Sequence, residues 1–398
     1  MSKEITIPIG PQHPSLKEPG CFTITLDGEK VVKAVVGVGY NHRGLEKACE
    51  ARTYIQDLYI IERVCGICSH THSTAFCQAV EELAGVVIPR RAAYIRVIMA
   101  ELERLHSHLL WLGIAGHEIG FDTLLMYSWR DREKVLDLLA MLGGNRVNYG
   151  INTPGGVRRD LEPQMAEDIK TVLDYIEEQN KYYIHLALSE ATLAARLGGI
   201  GYLSRDDAIK YGSVGPVSRA SGIPDDVRVI DQYATDDHCD VFGRAVVRVL
   251  EIMESIKIIR YALDNMPDSE LVAKMPRRIP EGEVISRTEA PRGEDIHYIR
   301  ANGTDKPDRV HVRAPSEANW HAMAHMLEGD YLADVPIIIA AIDPCYSCTD
   351  RAIVLQDSDG GKEKIWDWQG LRQYSIDFYK KRGFDASQIK VAEKKIII

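Results

Sequence analysis

Two Cys-x-x-Cys pairs, Cys65/Cys68 in "ERVCGICSHTH" and Cys345/Cys348 in "DPCYSCTDR", stand near opposite ends of this chain with 276 residues between them. If all four sulfurs serve one centre, the fold must bring its far end back beside residue 65. Such pairs serve as structural zinc ligands, as redox dithiols, or as a thiolate cage around a reactive metal. The remaining cysteines, Cys21, Cys49, Cys77 and Cys239, are scattered singly, and no apolar run follows the charged start "MSKEITIPIG". That usage points to a reducing compartment and to metal or redox work, not to a disulfide framework.

Composition narrows the class further. The chain has 398 residues, 45% hydrophobic and 27% charged, as in an ordinary folded globular protein. Its net charge is −10 with no long block of like charge, so the footprint of a nucleic-acid binder is absent. The longest strongly apolar run, "VPIIIAAI" at 335–342, is far shorter than the roughly 20 residues that span a bilayer. The chain is therefore expected neither to cross a membrane nor to carry a secretion signal.

Hydrophobic periodicity predicts an α+β fold, a central long-helix bundle with small N-terminal and C-terminal β-sheets. The stretch "CFTITLDGEKVVKAVVGVG" at 21–39 reads as a hairpin about Asp27-Gly28. From residue 71 the period becomes 3.6. Tyr94, Val97, Ile98, Leu102, Leu105, Leu109 and Leu112 form one apolar stripe, a long half-buried helix ended by Gly113. Further helices are expected near 130–142, 162–197 and 240–264, closed by Gly143-Gly144, Gly198-Gly199 and Pro267. "DIHYIRANGTDKPDRVHVRAP" alternates about a turn and predicts a second small sheet. We read residues 1–351 as one domain: an N-terminal β part (1–45), the bundle (60–267), and the second sheet with the second cysteine pair (280–351). Residues 352–398 form an extension.

The flanks of the two dithiols favour a shared site. Cys65 and Cys68 precede the helix-forming "STAFCQAVEEL", which places their sulfurs near a helix N-terminus, where the dipole favours thiolate. Cys345 and Cys348 follow the apolar run and a proline, so they are expected where a buried strand ends in a loop. Four thiolates around a dication leave about two negative charges in a dry site. Arg63, Arg292 and Arg351 are candidate compensating cations.

Together the motifs resemble a known family. Arg63-Val-Cys65-Gly66-Ile67-Cys68 through His72 fits R-x-C-G-x-C-x-x-x-H, and Asp343-Pro-Cys345-Tyr-Ser-Cys348-Thr-Asp-Arg351 fits D-P-C-x-x-C-x-x-R/H. This pair of signatures resembles that of the NiFe-hydrogenase large subunit. "IGPQHPSLKEPG", "GYNHRGLEK", "ELERLHSHLL", "GPVSRASG", "EAPRGE" and "VRAPS" are similar to the 49 kDa subunit of respiratory complex I, whose chains lack the four cysteines. The mixture resembles the membrane-bound, energy-converting hydrogenase branch.

The resemblance implies nickel held by all four cysteines, with Cys68 and Cys348 also bridging to an iron that carries cyanide and carbon monoxide. It implies Cys65 and Cys345 as terminal ligands, Cys345 being the sulfur that takes a proton, and Glu46 as the relay onward. Arg292 and Ser316 match positions that serve the iron's diatomic ligands, Asp343 would pair with a cation above the metals, and His72 would hydrogen-bond a bridging sulfur. Each has a plainer reading: Glu46 beside Lys47 and Arg43 as an ion-paired surface residue, Arg292 on a surface turn with Glu289 or Glu294, Ser316 and Asp343 as cap or turn residues. His106 and His108 read as packing or polar-face residues, and His13 as structural. Arg351 stands where many hydrogenases have a histidine, which puts a magnesium site there in doubt. In the family a tail such as 352–398 is often removed by an endopeptidase after nickel insertion.

The expected function is reversible proton reduction to dihydrogen. No other clustered cysteines remain for an iron-sulfur wire, so the resemblance adds a small iron-sulfur subunit, ion-translocating membrane subunits, and ferredoxin as donor, on the cytoplasmic face of the membrane. Two other readings stay open: a non-catalytic subunit whose thiolates hold zinc, and an enzyme reducing sulfane sulfur at the same metal pair.

Overall fold

The structure, a computed structural model, describes residues 4–228 and 234–349, together with 354–355, 364–365 and 368–382. The chain opens with an antiparallel sheet of β1 (Ile5–Ile9), β2 (Cys21–Asp27) and β3 (Lys30–Gly37), in that order. The expected hairpin is present: Asp27 pairs with Lys30, and Gly28 takes φ 64° in the turn, a left-handed conformation that glycine adopts without steric cost. Phe22, Ile24 and Leu26 alternate inward, as a half-buried strand requires. β1 was not legible because it is short, largely exposed and carries Pro8, which an edge strand tolerates.

Two short helices, α1 (Leu45–Cys49) and α2 (Tyr54–Glu62), lead to α3 (Ser69–Ala84), α4 (Arg90–Glu118) and α5 (Asp122–Gly143). Helix α4 is the axis of the molecule, packed by α3, by α5 and by elements from the far end of the chain. Its stripe of Ile98, Leu102, Leu105 and Leu109 is buried as expected, but Val97 is 42% exposed. The opposite side is not solvated either: Glu101, Glu103, Arg104, His106 and His108 are all buried, so the helix is enclosed rather than half-buried. Gly113 does not end it. A Cβ there would lie 2.6 Å from the Trp129 ring, so the glycine admits the α5 indole while the helix runs on to Glu118.

Helix α5 begins earlier than expected and closes at Gly144, φ 81°. A small ladder of β4 (Asn152–Thr153) and β5 (Gly156–Val157) precedes α6 (Pro163–Ser189) and α7 (Ala191–Leu197). The single helix expected over 162–197 is thus broken, at Glu190, whose ψ of 101° is extended. Short helices α8 (Arg205–Lys210) and α9 (Pro216–Arg219) lead to α10 (Val241–Asp264), where the Asp240 carboxylate accepts the Gly243 N–H as an N-cap.

The second sheet has three strands, β6 (Gly282–Ala290), β7 (Gly293–Ala301) and β8 (Pro307–Arg313), antiparallel in that order, with α3 laid across β6 and β7. Ala290 pairs with Gly293, which makes Pro291-Arg292 a hairpin tip. That tip is buried, because Gly215 meets it backbone to backbone: a Cβ on Gly215 would fall 2.4 Å from the Arg292 carbonyl oxygen. After α11 (Pro315–Leu327), the run "VPIIIAA" forms a helix, α12 (Val335–Ala341), not the buried strand expected. The run is apolar on every side because α4, α10 and α11 surround it, and a short run without periodicity does not distinguish strand from helix. Asp343, at φ 54°, then turns the chain into the second cysteine loop. Within the extension, Val354–Leu355 pairs with Lys364–Ile365, and Trp368–Lys381 is helical. Among the described residues no helix is long and apolar enough to cross a membrane.

Candidate metal centre

The two ends of the chain meet at the cysteines. Cys65 Sγ lies 3.4 Å from Cys345 Sγ, Cys68 Sγ lies 3.7 Å from Cys348 Sγ, and Cys345 and Cys348 are 2.8 Å apart. All four are buried. Sulfurs around one tetrahedral ion at about 2.3 Å lie about 3.8 Å from one another, so this spacing suits a shared soft metal. Cys68 is the N-cap of α3, as the flanking sequence predicts, and the N–H groups of Ile67 and Cys68 both point at Cys65 Sγ, each at 3.2 Å.

The sulfurs cannot all ionise unaided. Burial pushes the Cys65 thiol up, but hydrogen bonds from Cys345, Cys348 and Cys68 and the charge of Arg292 outweigh it and hold it well below its ordinary value. Cys348 is held well above its ordinary value by burial and then by its sulfur neighbours, while for Cys68 and Cys345 the downward pull of Cys348 is outweighed by the Cys65 sulfur and by burial, which hold them well above theirs. Only a cation at the centre lets four thiolates coexist.

Around this cage the structure places the other predicted residues as follows. Arg292 is buried, donating from Nε to the Asp343 carbonyl oxygen at 2.7 Å and from Nη2 to Asp343 Oδ1 at 2.8 Å. The surface-turn reading of Arg292 is thereby excluded. Ser316 Oγ accepts the Cys345 N–H at 2.9 Å. His72 Nε2 stands 3.5 Å from Cys348 Sγ. Arg63 does not join the site: its side chain is exposed and donates back to the Tyr59 carbonyl oxygen. Arg351 lies outside the described residues.

Glu46 is not held by the adjacent Lys47. Its carboxylate accepts from His311 Nδ1 at 2.9 Å, the Val312 N–H at 3.0 Å and Arg309 Nη2 at 3.0 Å, while Lys47 pairs with Glu50. Burial pushes the Glu46 carboxyl up, but these donors outweigh it and set it below the usual range. His106 and His108 are not on a polar face. Both are buried and kept neutral by burial, His106 against the Ile67 carbonyl oxygen at 3.0 Å and His108 against Glu251 Oε2 at 2.8 Å. His13 is exposed and contacts Ser15.

Two residues hold the cysteine loops and were not singled out from the sequence. Arg43 donates to the carbonyl oxygens of Arg63, Val64 and Ser347, bolting one loop to the other. Glu18 accepts the N–H groups of Tyr346 and Ser347 at 2.5 and 3.0 Å. Both lie inside recognised motif stretches, "GYNHRGLEK" and "PSLKEPG", and that was the only signal available. A cleft of about 440 Å³, walled by Trp111, Ile114, Trp129 and Ile339, reaches Ile67 and Arg292 at the edge of the cage.

A long-helix bundle flanked by two small sheets is the architecture of the large-subunit class shared by nickel-dependent hydrogenases and complex I, and in this chain a four-cysteine site joins its two halves. The comparisons agree. The chain matches the respiratory-chain NADH dehydrogenase 49 Kd subunit family over residues 118–279 and 273–351, and the nickel-dependent hydrogenase family over 43–113. It is 42% identical to the membrane-bound hydrogenase subunit alpha of Pyrococcus furiosus, over 94% of this chain and 93% of that one. It is 41% identical to the carbon monoxide-induced hydrogenase of Rhodospirillum rubrum, over 87% of this chain and 99% of that one. A chain of the membrane-bound sulfane sulfur reductase, an archaeal respiratory membrane complex, superposes with TM-score 0.83 at 29% identity, covering 87% of this chain and 98% of that one. The protein belongs to the complex I 49 kDa/NiFe-hydrogenase large-subunit family of oxidoreductases.

Proposed function

We propose that the chain is the catalytic large subunit of a membrane-associated energy-converting NiFe-hydrogenase that reduces protons to dihydrogen reversibly. The observation that carries this reading is the convergence of four buried sulfurs beside a buried arginine–aspartate pair. Cys65, Cys68, Cys345 and Cys348 would hold nickel, with Cys68 and Cys348 shared with an iron carrying cyanide and carbon monoxide. When bound, that pair supplies the redox chemistry of making or splitting dihydrogen.

The chain's own residues supply the rest. The Arg292 charge faces the sulfurs and offsets part of their negative charge in a dry site. Ser316 fixes the Cys345 backbone, leaving its hydroxyl proton free for a ligand at the centre. Cys345, as a terminal thiolate, is a base within the site, and Glu46 is the carboxylate that passes protons outward. The donors on Glu46 favour its ionised form. The apolar cleft beside Arg292 gives a small neutral molecule a way in or out. A small iron-sulfur subunit, ion-translocating membrane subunits and ferredoxin upstream complete the assembly, which would sit on the cytoplasmic face of the membrane.

A second reading, reduction of sulfane sulfur at the same pair, is favoured by the superposition on the sulfane sulfur reductase. The purified complex separates these. Nickel by elemental analysis, cyanide and carbonyl infrared bands and hydrogen evolution from reduced viologen support the hydrogenase. Nickel with sulfane sulfur reduction and no hydrogen supports the second reading, and zinc without infrared bands overturns both.

A further inference from the structure

Behind Cys348 lies a second group of donor atoms, of which the hydrogenase reading uses only the Nε2 side of His72. His72 comes from α3, and Asp295 and His297 come from β7, two residues apart and so on the same face of the strand. His72 Nδ1 is 3.1 Å from Asp295 Oδ2 and 3.1 Å from His297 Nε2, and His297 Nε2 is 3.2 Å from Asp295 Oδ2. All three side chains are fully buried.

Hydrogen bonds alone do not satisfy this triangle. Both Asp295 oxygens and His297 Nδ1 are buried with no aligned hydrogen-bond partner, although the ring nitrogens stand close by. The two facing nitrogens share room for one hydrogen at most. A buried carboxyl without an aligned partner is costly, and here it stands next to a cage that is itself short of positive charge.

A cation at the centre of the triangle removes the deficit. Ligand atoms around a tetrahedral ion at about 2.0 Å lie about 3.3 Å apart, close to the spacing of these three atoms. Two imidazoles and a carboxylate suit zinc or a similar borderline divalent ion, whereas the neighbouring sulfurs suit a softer one. We propose that His72, Asp295 and His297 form a second metal site, for a zinc-like divalent cation, distinct from the cysteine cage. An ion on His72 Nδ1 leaves the imidazole hydrogen on Nε2, which points it at Cys348 Sγ as a donor.

The test is zinc binding to the full chain with Cys65, Cys68, Cys345 and Cys348 all replaced by serine, so that the cage itself cannot take the ion. One zinc per chain is expected, with an X-ray absorption shell of nitrogen and oxygen only at about 2.0 Å, lost on adding Asp295→Asn or His297→Gln. Because that chain holds no nickel-iron centre, the result stands or falls apart from the hydrogenase reading. If the serine chain does not fold, anomalous scattering at the zinc edge on the wild-type complex replaces it, and a peak is expected among the three donor atoms. No retained zinc in the folded chain, zinc that survives both substitutions, or no peak there in the complex overturns the proposal.

Discussion

The guanidinium of Arg292 grips Asp343 twice, once at the carboxylate and once at the backbone carbonyl, and so ties a hairpin tip of the second sheet to the turn that launches the second cysteine loop. A lysine reaches one of these acceptors but not both in the same geometry. Arg292→Lys should therefore keep the charge and lose about 10²-fold or more of hydrogen-dependent dye reduction, with nickel retained. Asp343→Ala leaves the guanidinium buried without its counter-charge and should cost about 3–5 kcal/mol in urea unfolding. Wild-type rates in Arg292→Lys would count against the pair's place in the chemistry.

Cysteines of this chain divide by environment. Cys345→Ser or Cys348→Ser removes a soft donor from the cage and should abolish nickel retention. Cys77 is equally buried, but burial sets its thiol at about 12, and among the described residues it joins no group of donor atoms that could share a cation. Cys77→Ser should keep nickel and activity, and elemental analysis of the three proteins decides the matter.

Glu46 is held by Arg309, His311 and the Val312 amide, so replacing it should leave the cage intact while removing the proposed proton carrier. Glu46→Gln should lower hydrogen–deuterium exchange activity by about 10²–10⁴-fold, and Glu46→Asp should restore part of it. Nickel content and infrared bands should not change in either variant. Loss of the bands would show that Glu46 builds the site instead of serving it.

Asp57 is buried beside Cys49 and Tyr54, away from the cage. Burial raises its carboxyl from 3.8 to about 8, against the downward pull of Cys49 and Arg52. The folded state thus holds a proton that the unfolded state has already released between those values, and stability falls as pH rises through that window. Asp57→Asn should unfold at nearly the wild-type urea concentration at about pH 4 and at a higher one at about pH 8.5. A constant gap between the two proteins would refute the assignment.

The cysteine pairs, the Asp27-Gly28 hairpin and the Gly144 helix stop were legible because each is a local chemical signal. Helix α4 was legible as a helix but not in its surroundings, since Glu101, Glu103 and Arg104 look solvent-facing in sequence and are buried only through partners far along the chain. The strand expected at 335–342 failed for a related reason: enclosure on all sides erases the periodicity that separates helix from strand. Arg63 looked like a cage cation because it adjoins Cys65, yet as the C-cap of α2 it turns outward, and Arg43, placed by the fold, grips the loop backbone.

The pairing of sulfurs from near the start and near the finish of the polypeptide also governs when the site can exist. A chain emerging from the ribosome presents Cys65 and Cys68 long before Cys345 and Cys348 have been translated, so in that interval it is a two-sulfur chelator open to whichever soft ion is abundant. On the proposed reading, correct loading must wait until Cys348 has been translated, with competing ions kept from the half-built claw until then.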